Sequence, residues 1–276
     1  MAEADVIRRT ERPATVRGLR ADLLRLGLAP GIVTICHSSL SSMGWVCGGA
    51  VAVIQALESA MSDRGTLVMP TFSPELSEPS LWQSPPVPEA WWPEIRAEMP
   101  PFSPELTPSD RGLGVVPECF RRQPGVERSL HPQHSLAAWG RYSREICAGH
   151  TLSADLGEES PLAKIYDLDG WVLLIGVGHD ANSSLHLGEW RANLCGRRMV
   201  RQGAPVVIDG ERRWQEFAAL DISDRDFALL GDEFARDTGL VKAGLVGSAR
   251  ALLMPQRPLV DYAVRWLRDH RGDGAG

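Results

Sequence analysis

The stretch GIVTICHSSLSSMGWVCGGAVAVIQALESAMSDRGTLVMP, residues 31–70, decides the fold class because its periodicity changes twice. Residues 31–37 and 65–70 are short, apolar and β-rich, which predicts strands, whereas residues 50–61 place apolar side chains on one helical face. A strand–helix–strand order predicts a parallel sheet with a right-handed crossover. Ligands of such sheets bind outside the carboxyl ends of the strands. We therefore expect the loop after His37 and the segment after Pro70 to lie at one edge of the sheet.

Helical and strand periods keep alternating outside this unit. The predicted elements are, in chain order, a frayed segment over residues 1–12, helices over 15–28 and 112–122, a strand over 135–139, a central apolar strand over 171–178, a hairpin over 204–217, and helices over 224–237, 247–253 and 259–269. The turn Asp209-Gly210 is typical of a hairpin. The prediction is a single α/β domain over residues 1–276, with a mostly parallel central sheet flanked by helices and an added antiparallel hairpin.

Composition excludes several classes of protein. Hydrophobic residues make up 43% and charged residues 23% of the 276, which argues against disordered, collagen-like and coiled-coil chains. Apolar stretches fall short of the ~20 residues of a membrane span, and no apolar signal segment opens the sequence, so a cytoplasmic protein is expected. A net charge of −6 disfavours nucleic acid and suits a cationic small molecule. No CxxC pair occurs, so free thiols are expected at Cys36, Cys47, Cys119, Cys147 and Cys195.

A long segment over about residues 70–111 shows neither helical nor strand period. Residues 70–108 hold eleven of the chain's twenty prolines and six glutamates, against the single base Arg96. Long structureless loops in compact domains are usually functional or disordered, and the tryptophans Trp82, Trp91 and Trp92 favour an ordered loop packed over a binding site. The alternative is a solvated acidic surface loop.

His186 and Glu189 are the leading candidates for chemistry. They stand three residues apart on a helix predicted to begin at Asn182 or Ser183, so they share one face and the carboxylate can orient the imidazole. The pair predicts a general base; a structural histidine satisfied by a nearby acid is the alternative. Because no third ligand stands at a metal-site spacing, we expect no metal.

Two other motifs lie near strand ends. GVGHDA at residues 176–181 matches the dinucleotide fingerprint between a strand and a helix, which keeps an NAD(P)-dependent oxidoreductase as an alternative, although no acidic residue follows about 20 positions on. His134 precedes a strand and is expected at the same edge of the sheet, unless Pro132 merely forms a turn there. The serine- and glycine-rich loop over 38–49 suits an anion or a pantetheine amide.

Seven segments, in order, resemble the aminoglycoside 3-N-acetyltransferase family over about residues 15–267. They are LGLAPG (26–31), VTICHSSL (33–40), GWVCGGA (44–50), GTLVMPTF (65–72), PGVERSLHP (124–132), GEESPL (157–162) and LIGVGHDANSSLHLGE (174–189). The resemblance implies acetyl transfer from acetyl-CoA to the 3-amino group of 2-deoxystreptamine aminoglycosides, hence antibiotic resistance. It also implies an α/β fold unlike that of the GNAT acetyltransferases.

The resemblance also assigns residues. It implies His186 as the base with Glu189 beside it. Direct transfer is expected rather than an acyl-cysteine, because Cys36 and Cys47 have no dedicated base at a recognisable motif spacing. It places acetyl-CoA along His37, Ser38, Ser39, Leu40, Ser41, Thr71, Phe72 and Ser73. Together with the acidic loop, it gives as substrate contacts Glu75, Glu105, Asp110, His134, Glu158, Glu159, Asp180 and Asn182. Two departures from the family pattern are Ser103 before Pro104, where the family usually has Asp, and Gly188, where it has Ala.

The expected partners are the aminoglycoside and acetyl-CoA, with no nucleic acid and no membrane, in a monomer or homodimer. A protein that sequesters the drug without modifying it, and a transferase acting on another amine, stay open as alternatives.

Overall fold

A computed structural model of the chain describes residues 3–153, 155–194 and 198–272; Cys195 lies outside these residues. The helices are α1 (Glu3–Arg9), α2 (Val16–Leu26), α3 (Gly49–Met61), α4 (Trp92–Glu98), α5 (Val115–Phe120), α6 (Ser143–Cys147), α7 (Pro161–Asp167), α8 (Ser184–Ala192), α9 (Phe227–Thr238) and α10 (Gln256–Arg271). The strands are β1 (Val33–Ser38), β2 (Thr66–Pro70), β3 (Glu127–Arg128), β4 (Leu136–Gly140), β5 (Trp171–Ile175), β6 (Met199–Ile208), β7 (Glu211–Leu220), β8 (Lys242–Val246) and β9 (Ala249–Pro255).

In the described part of the chain, seven strands form one sheet in the order β3-β4-β2-β1-β5-β9-β8. The central strands β2, β1 and β5 run parallel, and α3 connects β1 to β2 as the strand–helix–strand pattern predicts. The outer strands pair antiparallel on both sides, an arrangement that the sequence did not predict. β6 and β7 form the predicted hairpin, with Asp209 and Gly210 at positive φ in its turn.

The central strands are covered by helices on both faces. Because successive strand residues point to opposite faces, Leu173 and Ile175 pack in the core under α2, α3 and α5. Val172 and Leu174 pack in a second core under α6 to α10. The sheet is therefore the middle layer of three, as expected for an α/β fold with a parallel centre.

Three predicted elements were wrong. The N-terminal segment is not frayed: α1 packs back on the protein through buried Val6. Residues 247–253 were predicted as helical, but residues 249–255 form β9, because pairing with β5 and β8 overrides the helix preference of the Ala and Leu residues there. The predicted structureless loop contains α4, which begins with Pro93 in its first turn, a position that favours proline.

The long acidic loop over 70–111 is held by buried polar contacts at several points. Arg96 forms an ion pair with Glu78, whose backbone N–H also donates to Gln202 Oε1 on β6 at 3.3 Å. The buried guanidinium of Arg128 donates to the carbonyl oxygens of Thr107 at 2.6 Å and Pro104 at 3.1 Å. The loop thus packs between the sheet and the β6–β7 hairpin. Within the described residues, no helix is long and apolar enough to cross a membrane.

Candidate active site

A cavity of about 910 Å³ opens at the carboxyl ends of β1, β2 and β5. His37 and Ser38 end β1, Pro70 ends β2, and Gly176 follows β5, and all four line the cavity. The volume lies in the range of small-molecule and cofactor sites. Its position agrees with the edge expected from the strand–helix–strand unit.

The loop after β1 turns over the strand ends and leads into α3. Gly48 and Gly49 adopt φ values of 91° and 56°, a conformation that favours glycine. α3 begins at Gly49, and no side chain caps its first turn. Because Gly49 also lines the cavity, the N-terminal end of α3 presents backbone N–H groups beside it, and such groups suit an anion such as a phosphate.

His186 and Glu189 form a hydrogen-bonded pair in the cavity wall. His186 lines the cavity from α8, and its Nδ1 lies 2.9 Å from Glu189 Oε2. Since a carboxylate only accepts hydrogen bonds, Nδ1 donates, and Nε2 of the neutral ring carries the free lone pair. Glu189 is only 6% exposed, and the ring of Phe227 lies 4.9 Å from the His186 ring. The sequence-predicted geometry of a base oriented by a carboxylate is therefore present.

A second imidazole, that of His37, lies close to His186. Burial, and to a smaller extent the positive charge of a protonated His186, lower the pKa of His37 to about 3. Its Nε2 is buried without a hydrogen-bond partner among the described residues. His37 is therefore neutral at physiological pH.

The profile of a family described as aminoglycoside 3-N-acetyltransferase matches residues 35–268. The chain belongs to the aminoglycoside 3-N-acetyltransferase family. The family and the α/β fold class predicted from the sequence are thus confirmed.

Relatives match this acetyltransferase over nearly its whole length. The SPbeta prophage-derived aminoglycoside N(3')-acetyltransferase-like protein YokD of Bacillus subtilis (strain 168) is 42% identical over 261 residues, 95% of each chain. Its crystal structure superposes with a TM-score of 0.95 at 40% identity, covering 98% of this chain and 99% of that one. Aminoglycoside N(3)-acetyltransferase VII of Streptomyces paromomycinus is 33% identical over 295 residues, 100% of this chain and 99% of its own. AAC-IIIb, solved as a binary complex with CoASH, superposes with a TM-score of 0.85 at 30% identity, covering 96% of this chain and 100% of that one.

Most of the predicted acetyl-CoA residues of this acetyltransferase lie in the cavity wall, but two do not. His37, Ser38, Ser39, Leu40, Ser41 and Phe72 line the cavity. Thr71 and Ser73 are fully buried and point away from it, because neighbouring residues of an extended segment face opposite sides. Their hydroxyls accept hydrogen bonds from Arg128 at 3.2 Å and 3.0 Å. The side chains of Thr71 and Ser73 thus help to hold the acidic loop, and contact of these two residues with the cofactor stays a prediction.

Of the eight predicted substrate residues, all of them described, Asp180 lines the cavity. Asn182 is instead buried and accepts a hydrogen bond from Ser184 N at 3.2 Å, so it caps α8. Glu158 is paired with Arg191 through two hydrogen bonds of 2.8 Å, which offsets its charge. These two side chains are thus engaged within the protein.

The remaining predicted substrate carboxylates lie on exposed or partly exposed loops outside the cavity wall. Asp110 accepts a hydrogen bond from Gly112 N at 2.6 Å. Burial, and to a smaller extent the charge of Asp110, raise the pKa of Glu75. Glu105 accepts from Ser103 Oγ at 3.0 Å, and Glu159 accepts from Thr151 Oγ1 at 2.5 Å. Contacts of these four carboxylates with a drug stay predictions.

His134, the last of the eight, belongs to a cluster with Asp155 and His131. Nδ1 of His134 bonds to Asp155, and ligating atoms of the three residues lie within 4.8 Å of one another, a spacing compatible with a metal ion. However, Nδ1 of His131 accepts from Gln133 N at 3.2 Å and from His134 N at 3.0 Å. Its Nε2 must then carry the proton and has no lone pair for a metal. The tautomer therefore argues against a metal at this cluster.

Sequence reasoning missed several groups around the cavity. Glu3 on α1 and Asp224 before α9 line it together with Asp180, and we call these three side chains the cavity carboxylates. Trp45, another wall residue, donates from Nε1 to Glu3 Oε1 at 3.2 Å. No local pattern marks these residues, because each is brought to the cavity by packing of a distant element.

Proposed function

We propose that the chain transfers the acetyl group of acetyl-CoA to the 3-amino group of 2-deoxystreptamine aminoglycosides, and thereby confers resistance to these antibiotics. The observation that carries the proposal is the His186–Glu189 pair in the wall of the cavity at the strand ends. Family membership supports the reaction class, since a relative is named an aminoglycoside N(3)-acetyltransferase and AAC-IIIb was solved with CoASH. Use of acetyl-CoA also fits the cytoplasmic location expected from the sequence.

In the proposed mechanism, His186 removes a proton from the attacking amine. An amine attacks a thioester only as the free base, and a free imidazole Nε2 is suited to take the proton. The nitrogen bonds to the thioester carbonyl carbon as its proton passes to Nε2. The carbon–sulfur bond then breaks, and the leaving thiolate receives that proton, which gives the amide and CoASH. Glu189 stabilises the imidazolium that forms in between.

The electrostatics of the cavity support a cationic acceptor. The cavity carboxylates line the cavity, and no lysine or arginine occurs among the described residues that line it. Ammonium groups of an aminoglycoside are attracted to such a wall. The anionic cofactor would instead be held by backbone N–H groups in the first turn of α3, which begins beside the cavity at Gly49.

The alternatives from the sequence receive less support. Gly176, in the segment that resembles a dinucleotide fingerprint, is explained by packing, since a Cβ there would lie 2.4 Å from Ser42 Cβ. Family membership favours acyl transfer over an oxidoreductase. Acetylation of a different amine remains the second candidate, because the predicted acidic contacts outside the cavity wall are not specific to one drug.

A thiol-release assay with acetyl-CoA and a panel of aminoglycosides and simpler amines tests the proposal. We expect release only with acceptors that carry the 3-amino group, and at least a roughly tenfold lower turnover in His186→Ala. His270→Ala is the matched control, because this histidine is exposed and stacks on Trp266 outside the cavity. Near-normal turnover in a folded His186→Ala protein would overturn the assignment of the base. Drug binding without thiol release would instead indicate sequestration.

A further inference from the structure

The carboxylate of Glu189 is held from the side opposite His186. While Oε2 bonds to the imidazole, Oε1 accepts from Ser223 N at 3.0 Å and from Arg271 Nη1 at 2.6 Å. Arg271 is the last residue of α10 and lies 82 positions after Glu189. Its side chain is only 8% exposed. A buried cation thus contacts the carboxylate that orients the proposed base.

Arg271 is itself fixed in place by several partners. Its Nε donates to Asp226 Oδ2 at 2.8 Å and its Nη2 to Ser223 O at 2.7 Å. The guanidinium also lies over the ring of Phe227, the ring that contacts His186. Although burial lowers it, hydrogen bonding to Asp226 and the charge of Glu189 together raise the pKa of Arg271 above its ordinary value. The guanidinium therefore has one orientation and a permanent charge.

We propose that Arg271 is a positioning residue for the transfer reaction: it holds Glu189 so that Oε2 faces His186, and its charge offsets that carboxylate. The inference rests on the proposed function of His186 as base. An isolated buried carboxylate would favour the imidazolium strongly, so that His186 would release its proton to the leaving thiolate less readily. The Arg271 cation on Glu189 Oε1 weakens this stabilisation of the imidazolium and leaves Oε2 bonded to the His186 ring.

The charged and titratable groups around His186 come from several elements. They are Glu189 on α8, Arg271 on α10, Asp226 before α9, neutral His37 on β1, and two of the cavity carboxylates, Asp180 and Asp224. Arg271 is the cation in this described set, so its removal leaves the imidazole among uncompensated carboxylates. The imidazolium then persists to higher pH, and activity on the acid side falls off earlier as pH decreases.

The test is the pH dependence of kcat and kcat/KM for thiol release in Arg271→Gln and Arg271→Lys. In Arg271→Gln we expect the acid limb of the pH–activity profile, where activity is lost as pH falls, to move to higher pH by roughly one unit, with about tenfold lower kcat at neutral pH. Arg271→Lys keeps the charge and should leave the limb within about 0.3 units of wild type. Titration of the substrate amine is common to all variants, so a displacement reports on the enzyme.

Controls separate this role from anchoring of α10. Arg257 pairs with Asp169 at 2.5 Å and with Tyr166 O at 2.9 Å at the other end of α10, so Arg257→Gln weakens that helix without altering the pH profile. If Arg271→Gln does not fold, Asp226→Asn replaces it, and its limb should move to lower pH because a negative charge is lost. An unmoved limb in folded Arg271→Gln, or in Asp226→Asn, overturns the inference. Absence of aminoglycoside acetylation by the wild type instead overturns the proposed function.

Discussion

Replacing Arg128 by Met removes a buried cation that holds the acidic loop. Burial, with a smaller effect from the charge of Arg121, lowers the pKa of Arg128 to about 10 from 12.5, a desolvation cost of about 3 kcal/mol for the charged form. The hydrogen bonds to the loop must offset this cost. Without the guanidinium, the carbonyl oxygens of Pro104 and Thr107 lose their donors, and each buried unsatisfied carbonyl costs about 1–3 kcal/mol.

The two carbonyls together lose about 2–6 kcal/mol, and recovery of the desolvation cost of about 3 kcal/mol reduces this penalty, so the net loss of unfolding free energy should be at most about 3 kcal/mol. For a chain of this size that corresponds to a decrease of up to about 6–12 °C in Tm. Thermal unfolding followed by circular dichroism measures the decrease, and hydrogen exchange should show faster exchange at residues 102–110, the part of the loop that Arg128 contacts. Arg128→Lys keeps the charge but cannot reach both carbonyls, and should recover less than half of the loss.

The matched control is Arg122→Met, whose side chain is 66% exposed and pairs with Glu118 at the surface. Such a pair contributes at most about 1 kcal/mol. A decrease in Tm of less than about 2 °C in Arg128→Met, with unchanged exchange over residues 102–110, would refute the reasoning.

Three further outcomes are expected. Raising the ionic strength from about 0.05 M to 0.5 M should increase the drug KM several-fold, because the cavity carboxylates are screened; steady-state kinetics that show a constant KM would contradict this. Burial lowers the pKa of His37 and His131 to about 3 and that of His150 to about 4. Below pH ~6.5 the unfolded chain therefore binds more protons than the folded one, and the free energy of unfolding falls by up to about 4 kcal/mol per pH unit. Denaturant titrations at pH 6.5 and 5.5 measure this fall, and an unfolding free energy that does not change between them would be inconsistent with neutral buried rings. In Gly188→Ala the new Cβ would lie 2.7 Å from Ala263 Cβ, so we expect the free energy of unfolding to fall by about 1–2 kcal/mol. Adding Ala263→Gly should restore it in the double variant, whereas additive losses of the two substitutions would count against the contact.

The sequence predicted the centre of the fold and the hydrogen-bonded His186–Glu189 pair because both depend on local spacing. Residues 31–70 carry their own periods, and His186 and Glu189 share a helix face whatever surrounds them. β9 could not be predicted in the same way, because the local sequence of residues 247–253 predicts a helix, and only pairing with the neighbouring strands makes residues 249–255 a strand. The antiparallel outer strands likewise depend on pairing between distant segments.

The site features that the sequence could not predict also depend on the packing of the folded chain. The family resemblance gave a continuous cofactor segment over 71–73, yet the alternation of an extended chain puts only Phe72 in the cavity wall. Arg271 and Asp224 carry no local signal, since only the packing of α10 and of the segment before α9 brings them near His186.

The position of Arg271 also has a consequence for how the protein matures. During synthesis, Glu189 leaves the ribosome 82 codons ahead of Arg271, which contacts it in the folded protein, and His186 leaves earlier still. A nascent chain with α8 already in place would hold a base whose charge balance is not yet set. Full turnover would then begin only when α10 docks, so that enzymatic competence reports the docking of this helix.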